Sequence, residues 1–466
     1  MYRKAPLLSA SLAAAALGLA AGAASGLSDN WPAFRGPAAM NQAPSDPRLP
    51  ETWSVSENVV WKTPIPGLAW SSPVVWGNRV YLTTVVSEGP VEEPQKGLYF
   101  GGNRPEPPTD VHHFKVLALD TETGRVVWDK TVLSTKPKFP KHLKNTYASE
   151  TPATDGERVY AYFGNVGVYA LDLAGNLVWE KPFDVVRTRY GWGTAASPIV
   201  HGDTLFVVND NEESSFVAAL DSRTGKEKWR AAREEGSNWA TPFVWQNELR
   251  NELITAGTDR VRSYGMDGKL LWELGGMSSI AIPQPFAAHG LLYVSSGYIG
   301  DQKRPVYAIK PGASGDITLA EGVQSNEWIV WFLPQAGAYN PTPLVYGDHL
   351  YTLLDRGFFT MHDAHTGKLV YDKQRIERGA SAFTASPWAY NGKIFVLSED
   401  GDTFVIDAGK DFTVVAKNSL DEMCMATPAI VDGSLYIRTR GHLYRLTNEA
   451  AAAGDARPRI RGGQDF

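Results

Sequence analysis

Only one cysteine, Cys424, occurs in 466 residues, which rules out an intramolecular disulfide and any multi-cysteine metal or cluster site. Long apolar runs are also missing. Beyond Ala21 no segment stays apolar for the roughly 20 residues that a membrane span needs. Basic charge is in deficit, with 45 Lys and Arg against 51 Asp and Glu, a net charge of −6. A nucleic-acid binder would instead carry a basic face, so no nucleic-acid partner is expected. No Gly-x-Ser-x-Gly, His-Glu-x-x-His or phosphate-binding glycine loop is found, and His112-His113 has no regularly spaced third ligand, so no metal site is expected. With 43% hydrophobic and 21% charged residues, neither a disordered chain nor a multi-span membrane protein fits.

What is abundant points elsewhere. The chain has 44 Gly, 30 Pro, 15 Trp and 19 Tyr, the mixture of tight turns and aromatic strands typical of all-β proteins. At the start, Arg3 and Lys4 precede the small, apolar stretch Leu7 to Ala21, and Ala21-Gly22-Ala23 offers an Ala-x-Ala cleavage site. Residues 1–23 therefore read as a signal peptide cleaved near Ala23, and the mature chain as exported to a periplasm. No Cys follows the apolar stretch, so a lipoprotein anchor is not expected.

One phrase then recurs. Ser72-Pro73, Thr151-Pro152, Ser197-Pro198, Thr241-Pro242, Thr342-Pro343, Ser386-Pro387 and Thr427-Pro428 each open a copy, with Ile282-Pro283 as a degraded eighth. Pro-to-Pro spacings of 79, 46, 44, 41, 60, 44 and 41 give a basal period in the low forties, with insertions in the first and fifth copies. After each Pro come an apolar strand, a Gly-x-x turn such as Gly77-Asn78-Arg79, and a second strand. A third strand ends in Ala-Leu-Asp, and an Asp-x-x-Thr-Gly turn leads into a strand bearing Trp128, Trp179, Trp229 or Trp272. Four strands and three tight turns per period make one antiparallel propeller blade. The last copy stops after Leu446 without a fourth strand, while Asn58–Lys62 reads as a Trp-bearing outer strand with no blade of its own. The expectation is one all-β domain, an eight-bladed β-propeller over residues 58–449 closed by its N-terminal strand. A lead segment (24–57) precedes it and a flexible tail (450–466) follows.

Ala-Leu-Asp-x-x-Thr-Gly-x-x-x-Trp resembles the repeat of pyrroloquinoline-quinone (PQQ)-type propellers. That superfamily includes quinoprotein alcohol dehydrogenases and the scaffold lipoprotein of the outer-membrane β-barrel assembly machine. Trp31-Pro32-Ala33-Phe34-Arg35-Gly36-Pro37, followed by Trp61-Lys62-Thr63-Pro64, resembles exported bacterial PQQ-like repeat proteins. The resemblance covers roughly residues 31–446. It implies the fold directly; for an enzymatic member it implies PQQ with Ca²⁺ and an Asp base. No segment matches that Asp motif, and Cys424 alone cannot supply the adjacent-cysteine disulfide that many such enzymes hold against the quinone.

Strand order places the loops before each Pro on one face, where sequence variety concentrates. Near the axis these loops carry Trp70, Tyr147, Glu150, Trp192, Asn238, Trp239, Tyr339, Asn340, Phe383, Met423 and Met425. The funnel candidates are Trp70, Glu150, Trp192, Asn238, Trp239, Tyr339 and Asn340. Trp192 or Trp239 would be a stacking floor, and Glu150, Asn238 or Asn340 ligands for Ca²⁺ if the resemblance extends that far. The insertion at 84–113 reads as a lid. Lys130, Lys136, Lys138, Lys141, His142, Lys144, Arg187 and Arg189 read either as a basic patch or as solvated loops. The expected role is a monomeric binding or scaffold module, without catalysis, that takes a protein partner or small ligand on the varied face. The alternative is a PQQ- and Ca²⁺-dependent oxidoreductase acting on alcohols or sugars. A sugar-binding or sugar-acting propeller is a third reading, since Trp and Tyr platforms suit sugar faces.

Overall fold

Each Ser/Thr-Pro phrase starts a short inner strand, because Pro fixes φ and its missing N–H asks for no ladder partner at a strand's first position. Residues 30–454, apart from Pro105 and Asn165, are described by a computed structural model; the expected signal peptide and residues 455–466 lie outside them. The strands form eight antiparallel sheets in a ring. Blade 1 comprises Val74–Trp76, Arg79–Ser87, His112–Asp120 and Val126–Thr135. Blades 2 to 7 begin at Ala153, Ile199, Phe243, Phe286, Leu344 and Trp388. Blade 8 holds Ala429–Val431, Ser434–Arg438 and His442–Leu446, and its outer strand is Val59–Pro64 from the other end of the chain, antiparallel to His442–Leu446. The expected closure by the N-terminal strand is thus observed, and it covers the edge that His442–Leu446 would otherwise leave open.

The eighth copy of the phrase needs one correction. The inner strand of blade 5 starts at Phe286, so its opening pair is Gln284-Pro285 rather than Ile282-Pro283. The reason lies in what the residue before Pro does. Ser72 N–H donates to Thr151 Oγ1, Thr151 N–H to Ser197 Oγ, and Ser197 N–H to Thr241 Oγ1. Gln284 N–H donates to Thr342 Oγ1, Thr342 N–H to Ser386 Oγ, and Ser386 N–H to Thr427 Oγ1. Blade 5 lacks the hydroxyl, and Gln284 Nε2 bridges to Pro242 O of blade 4 in its place. A belt of hydrogen bonds therefore binds blade to blade around the axis. Between blades 8 and 1 the link is Arg438, whose Nη1 donates to Ser71 O, Ser71 Oγ and Thr83 O.

The outer ring is fastened by the recurrent Trp. The indole N–H of Trp61, Trp128, Trp179, Trp229 and Trp331 each donates to a turn carbonyl of the next blade (Thr121, Leu173, Ser222, Met266 and Ala364). The ring lies on the glycine of that turn. At Gly225, with φ of +68°, a Cβ would sit 2.5 Å from the Trp179 ring. Glycine is needed there for the left-handed backbone and for the close approach. Trp272 departs from the rule and donates to buried Glu252 of its own blade. Its neighbour's turn is replaced by the fifth-copy insertion, whose Gly315–Asp316 pairs parallel to Trp272–Glu273 as a fifth strand.

The lead segment crosses the turn face. Trp31 bridges Val75 of blade 1, Pro32 O accepts from Thr154 N–H of blade 2, Arg35 Nη2 donates to Pro343 O of blade 6, and Asn41 Nδ2 to Pro387 O of blade 7. Arg48 reaches Asp432 of blade 8 before the chain enters its closing strand. At the other terminus a short helix, Glu449–Gly454, spans the expected boundary between propeller and tail.

Candidate functional site

On the face opposite the lead segment, the belt hydroxyls and the loops above them enclose a funnel cavity of about 470 Å³. Phe34, from the lead segment, closes its lower end. The middle is ringed by Ser72, Thr151, Ser197, Thr241, Thr342, Ser386 and Thr427, the residues before each Pro. Above them stand Trp70, Trp192, Trp239, Tyr298 and Tyr339. Each indole is fixed in place by a bond to backbone: Trp70 Nε1 to Lys144 O at 2.8 Å, Trp192 to Gly102 O at 3.1 Å and Trp239 to Gly193 O at 2.8 Å. Trp192 and Trp239 lie 6.2 Å apart, Tyr298 and Tyr339 5.2 Å. Walls anchored in this way are preorganised to hold a flat ring.

The insertion after blade 1's second strand covers this funnel. Residues 84–87 and 112–113 extend the two strands, and 88–111 form the lid. Gly97, Leu98, Tyr99 and Phe100 face the cavity. Phe100 meets Trp192 edge-on at 5.6 Å, and Tyr99 stacks on His142 at 5.4 Å. Two ion pairs clamp the lid to the propeller, Arg440 with Glu93 at 2.8 Å and Lys96 with Asp400 at 2.9 Å, while Arg104 with Glu92 at 2.5 Å braces the lid within itself. Gly97 N–H donates to Glu399 at 2.8 Å.

Of the seven funnel candidates, Trp70, Trp192, Trp239, Tyr339 and Asn340 line the cavity and two do not. Glu150 is buried behind the wall, accepting from Thr194 Oγ1 at 2.5 Å and Gly164 N–H at 3.1 Å. Burial pushes its carboxyl up to about 7. Asn238 holds the loops of blades 4 and 5 together, donating to Gly236 O and Thr258 Oγ1 and accepting from Ala281 N–H. Met425 lines the cavity as expected from its loop, whereas Tyr147 turns away to Phe139 O and Phe383 packs under Gly357. Cys424 is buried, and burial pushes its thiol far above the range of a nucleophile.

The lysines and arginines do not form one patch. Lys136 and Lys138 line a separate cavity of about 240 Å³, Lys141 is buried near Glu92, and Arg189 donates to Ser279 O. Lys144 alone among them reaches the funnel wall as a cation. Its ammonium donates to Gly97 O, Thr384 Oγ1 and the fully buried carboxylate of Glu399, which also accepts from Thr384 Oγ1 at 2.6 Å. His142, on the same wall, is kept neutral because burial lowers its imidazole to about 4. Sequence reasoning missed Tyr99, Phe100, Tyr298, Asn145 and the Glu399 partner. The Ser and Thr before each Pro were visible, but their place on the cavity wall was not.

A Ca²⁺-dependent quinone site asks for carboxylates at the metal and a carboxylate base. None of the described residues lining the cavity is Asp or Glu. Asp355, just behind the wall, is occupied by Tyr339 N–H at 2.9 Å and by Asn340 N–H and Nδ2 at 2.9 and 2.5 Å. Glu399 is neutralised by Lys144. Six to eight oxygen ligands with net negative charge are not assembled, so this wall does not fit Ca²⁺.

Comparison with known proteins is consistent with this architecture. The sequence pattern of the family described as outer membrane protein assembly factor BamB, a PQQ-like repeat family, matches residues 53–242, 111–309 and 213–451. The chain belongs to the PQQ-like β-propeller family. Among solved structures it is similar to the quinohemoprotein alcohol dehydrogenase of Comamonas testosteroni, with 12% identity and a TM-score of 0.57, over 91% of this chain and 81% of that one. A europium-containing methanol dehydrogenase gives 12% and 0.57 over 90% and 98%. The quinohemoprotein alcohol dehydrogenase ADHIIG of Pseudomonas putida HK5 gives 12% and 0.57 over 94% and 82%. At such identities the likeness is one of fold. No curated protein matches the chain by sequence. No described helix is long and apolar enough to cross a membrane.

Proposed function

We propose that this PQQ-like propeller is an exported binding module that encloses a flat, weakly charged ring ligand in its lidded funnel and performs no chemistry on it. The observation that carries the reading is a cavity walled by three backbone-anchored tryptophans, with no carboxylate among the described residues that line it. Its volume of about 470 Å³ lies within the range of small-molecule pockets, roughly 300–1,000 Å³. The hydroxyl belt offers donors and acceptors to a ligand's edge, and Lys144, already paired, adds little net charge. Sugars and aromatic rings both suit such walls. The basic head, apolar stretch and Ala-x-Ala of residues 1–23 support export to a periplasm. The outer surface remains available to a protein partner, in the manner of a scaffold.

The alternative, a PQQ- and Ca²⁺-dependent oxidoreductase, is favoured by the likeness to quinohemoprotein folds and disfavoured by the wall chemistry. Titration of residues 24–466 with PQQ, with and without Ca²⁺, separates the two. We expect no Ca²⁺-dependent binding and no dye-linked alcohol or sugar oxidation. Oligosaccharides and aryl glycosides are expected to quench Trp fluorescence saturably, an effect lost in Trp239→Ala. Saturable Ca²⁺-dependent PQQ binding would overturn the proposal.

A further inference from the structure

We propose that His289, Asp348 and His365 form a surface site for a divalent transition-metal ion of the Zn²⁺ class, on the turn face and away from the funnel. The three come from three different turns. His289 lies in the first turn of blade 5, Asp348 in the first turn of blade 6, and His365 in that blade's Asp-x-x-Thr-Gly turn. Their ligand atoms all fall within 4.8 Å of one another, and each side chain is exposed. The imidazoles of His289 and His365 face each other with ring centroids 4.5 Å apart, and His365 Nε2 is 3.4 Å from Asp348 Oδ1.

The backbone holds the set in place. His289 has a φ of +52°, in the left-handed region, where Gly77, Asn391 and Asp432 sit at the matching position of other blades. Gly and Asn adopt that conformation readily, whereas His is an uncommon choice for it. Its Nε2 is 2.9 Å from Gly347 O, the contact that orients a ligating imidazole through its second nitrogen. Ala364 N–H donates to Asp348 O at 2.9 Å, tying together the two turns of blade 6 that carry the other ligands. Two of the chain's nine histidines thus converge with a carboxylate across a blade boundary. Two nitrogens and one oxygen with open positions for water suit Zn²⁺, Cu²⁺ or Ni²⁺ and not the all-oxygen preference of Ca²⁺ or Mg²⁺. The bound ion would clip blade 5 to blade 6. Residues 289, 348 and 365 share no sequence spacing that a motif search would find, which is why the sequence alone gave no metal site.

The test is calorimetric titration of untagged, chelator-treated protein with ZnCl₂, paired with Co²⁺ absorption. One Zn²⁺ per chain is expected, with affinity reduced at least about tenfold in His289→Ala and in His365→Ala, unchanged in His113→Ala, and no response to CaCl₂. Co²⁺ should show visible d–d bands that disappear in the same two variants. Because the side chains are exposed, the variants should keep the wild-type Tm in EDTA, and only the wild type should gain Tm with Zn²⁺. Absence of Zn²⁺ binding, or equal binding by wild type and both His variants, would overturn the assignment.

Discussion

Glu150 shows how far a residue's type can mislead about its task. It stands beside the funnel in sequence, but its carboxyl is sealed behind the wall and bonded to Thr194 and Gly164. Burial raises its pKa to about 7, above the roughly 4.3 of an unfolded chain. A raised value means that its contribution to stability is complete below the unfolded value and is lost as pH rises through the folded one. Glu150→Gln should therefore leave the fold intact and remove a pH-dependent loss on the order of 3–4 kcal/mol between about pH 4.5 and 7. Thermal melts of both proteins across that range check this; parallel curves would show that Glu150 titrates normally. Asn238 teaches the same lesson, as an amide chosen for a ligand that instead joins two loops. The tryptophans were easier to place: Trp70, Trp192 and Trp239 all reach the cavity and anchor their indole N–H on a loop carbonyl, whereas Tyr147 and Phe383 from the same set of loops turn elsewhere.

At the scale of elements, the blades were legible and the lid was not fully so. Strand periodicity, Asp-x-x-Thr-Gly turns and the recurring Trp each have a local physical cause, so they can be read residue by residue. The exception, Gln284-Pro285, went unseen because its belt contact is made by an amide and not a hydroxyl. The lid lacks periodicity, and its seat depends on residues some 300 positions away, as in Lys96 to Asp400 and Glu93 to Arg440. Those clamps are exposed ion pairs, individually worth about 0–1 kcal/mol and weakened by salt. Lys96→Ala combined with Arg440→Ala should raise amide exchange at least severalfold in residues 92–104 while the blade strands stay protected. Hydrogen-exchange mass spectrometry reads this directly; uniform exchange in both proteins would mean that the aromatic contacts of Tyr99 and Phe100 alone hold the lid.

For the whole molecule, stability depends on closing the ring. Trp61 in the closing strand packs beside Tyr436 of blade 8 and lies over Gly124 of blade 1, donating to Thr121 O. Trp61→Ala should cost about 3–5 kcal/mol, more than the same change at a site that serves one blade boundary without closing the ring, such as Trp229. Denaturant melts of the two variants compare them, and equal losses would show that closure carries no special weight. The closing strand also sets an order of events. Val59–Pro64 is made early, while its partner His442–Leu446 is among the last parts of the propeller to be synthesised. Each blade in between can form from its own hairpins as it appears, but the first strand must wait, unpaired, until nearly the whole chain has arrived. The delay costs little equilibrium stability, since loop-closure entropy grows only by about 0.6 kcal/mol per doubling of length. Its weight is kinetic: a chain without residues 427–446 would keep an apolar edge open to another copy, so the arrival of the eighth blade decides between a closed ring and an aggregate.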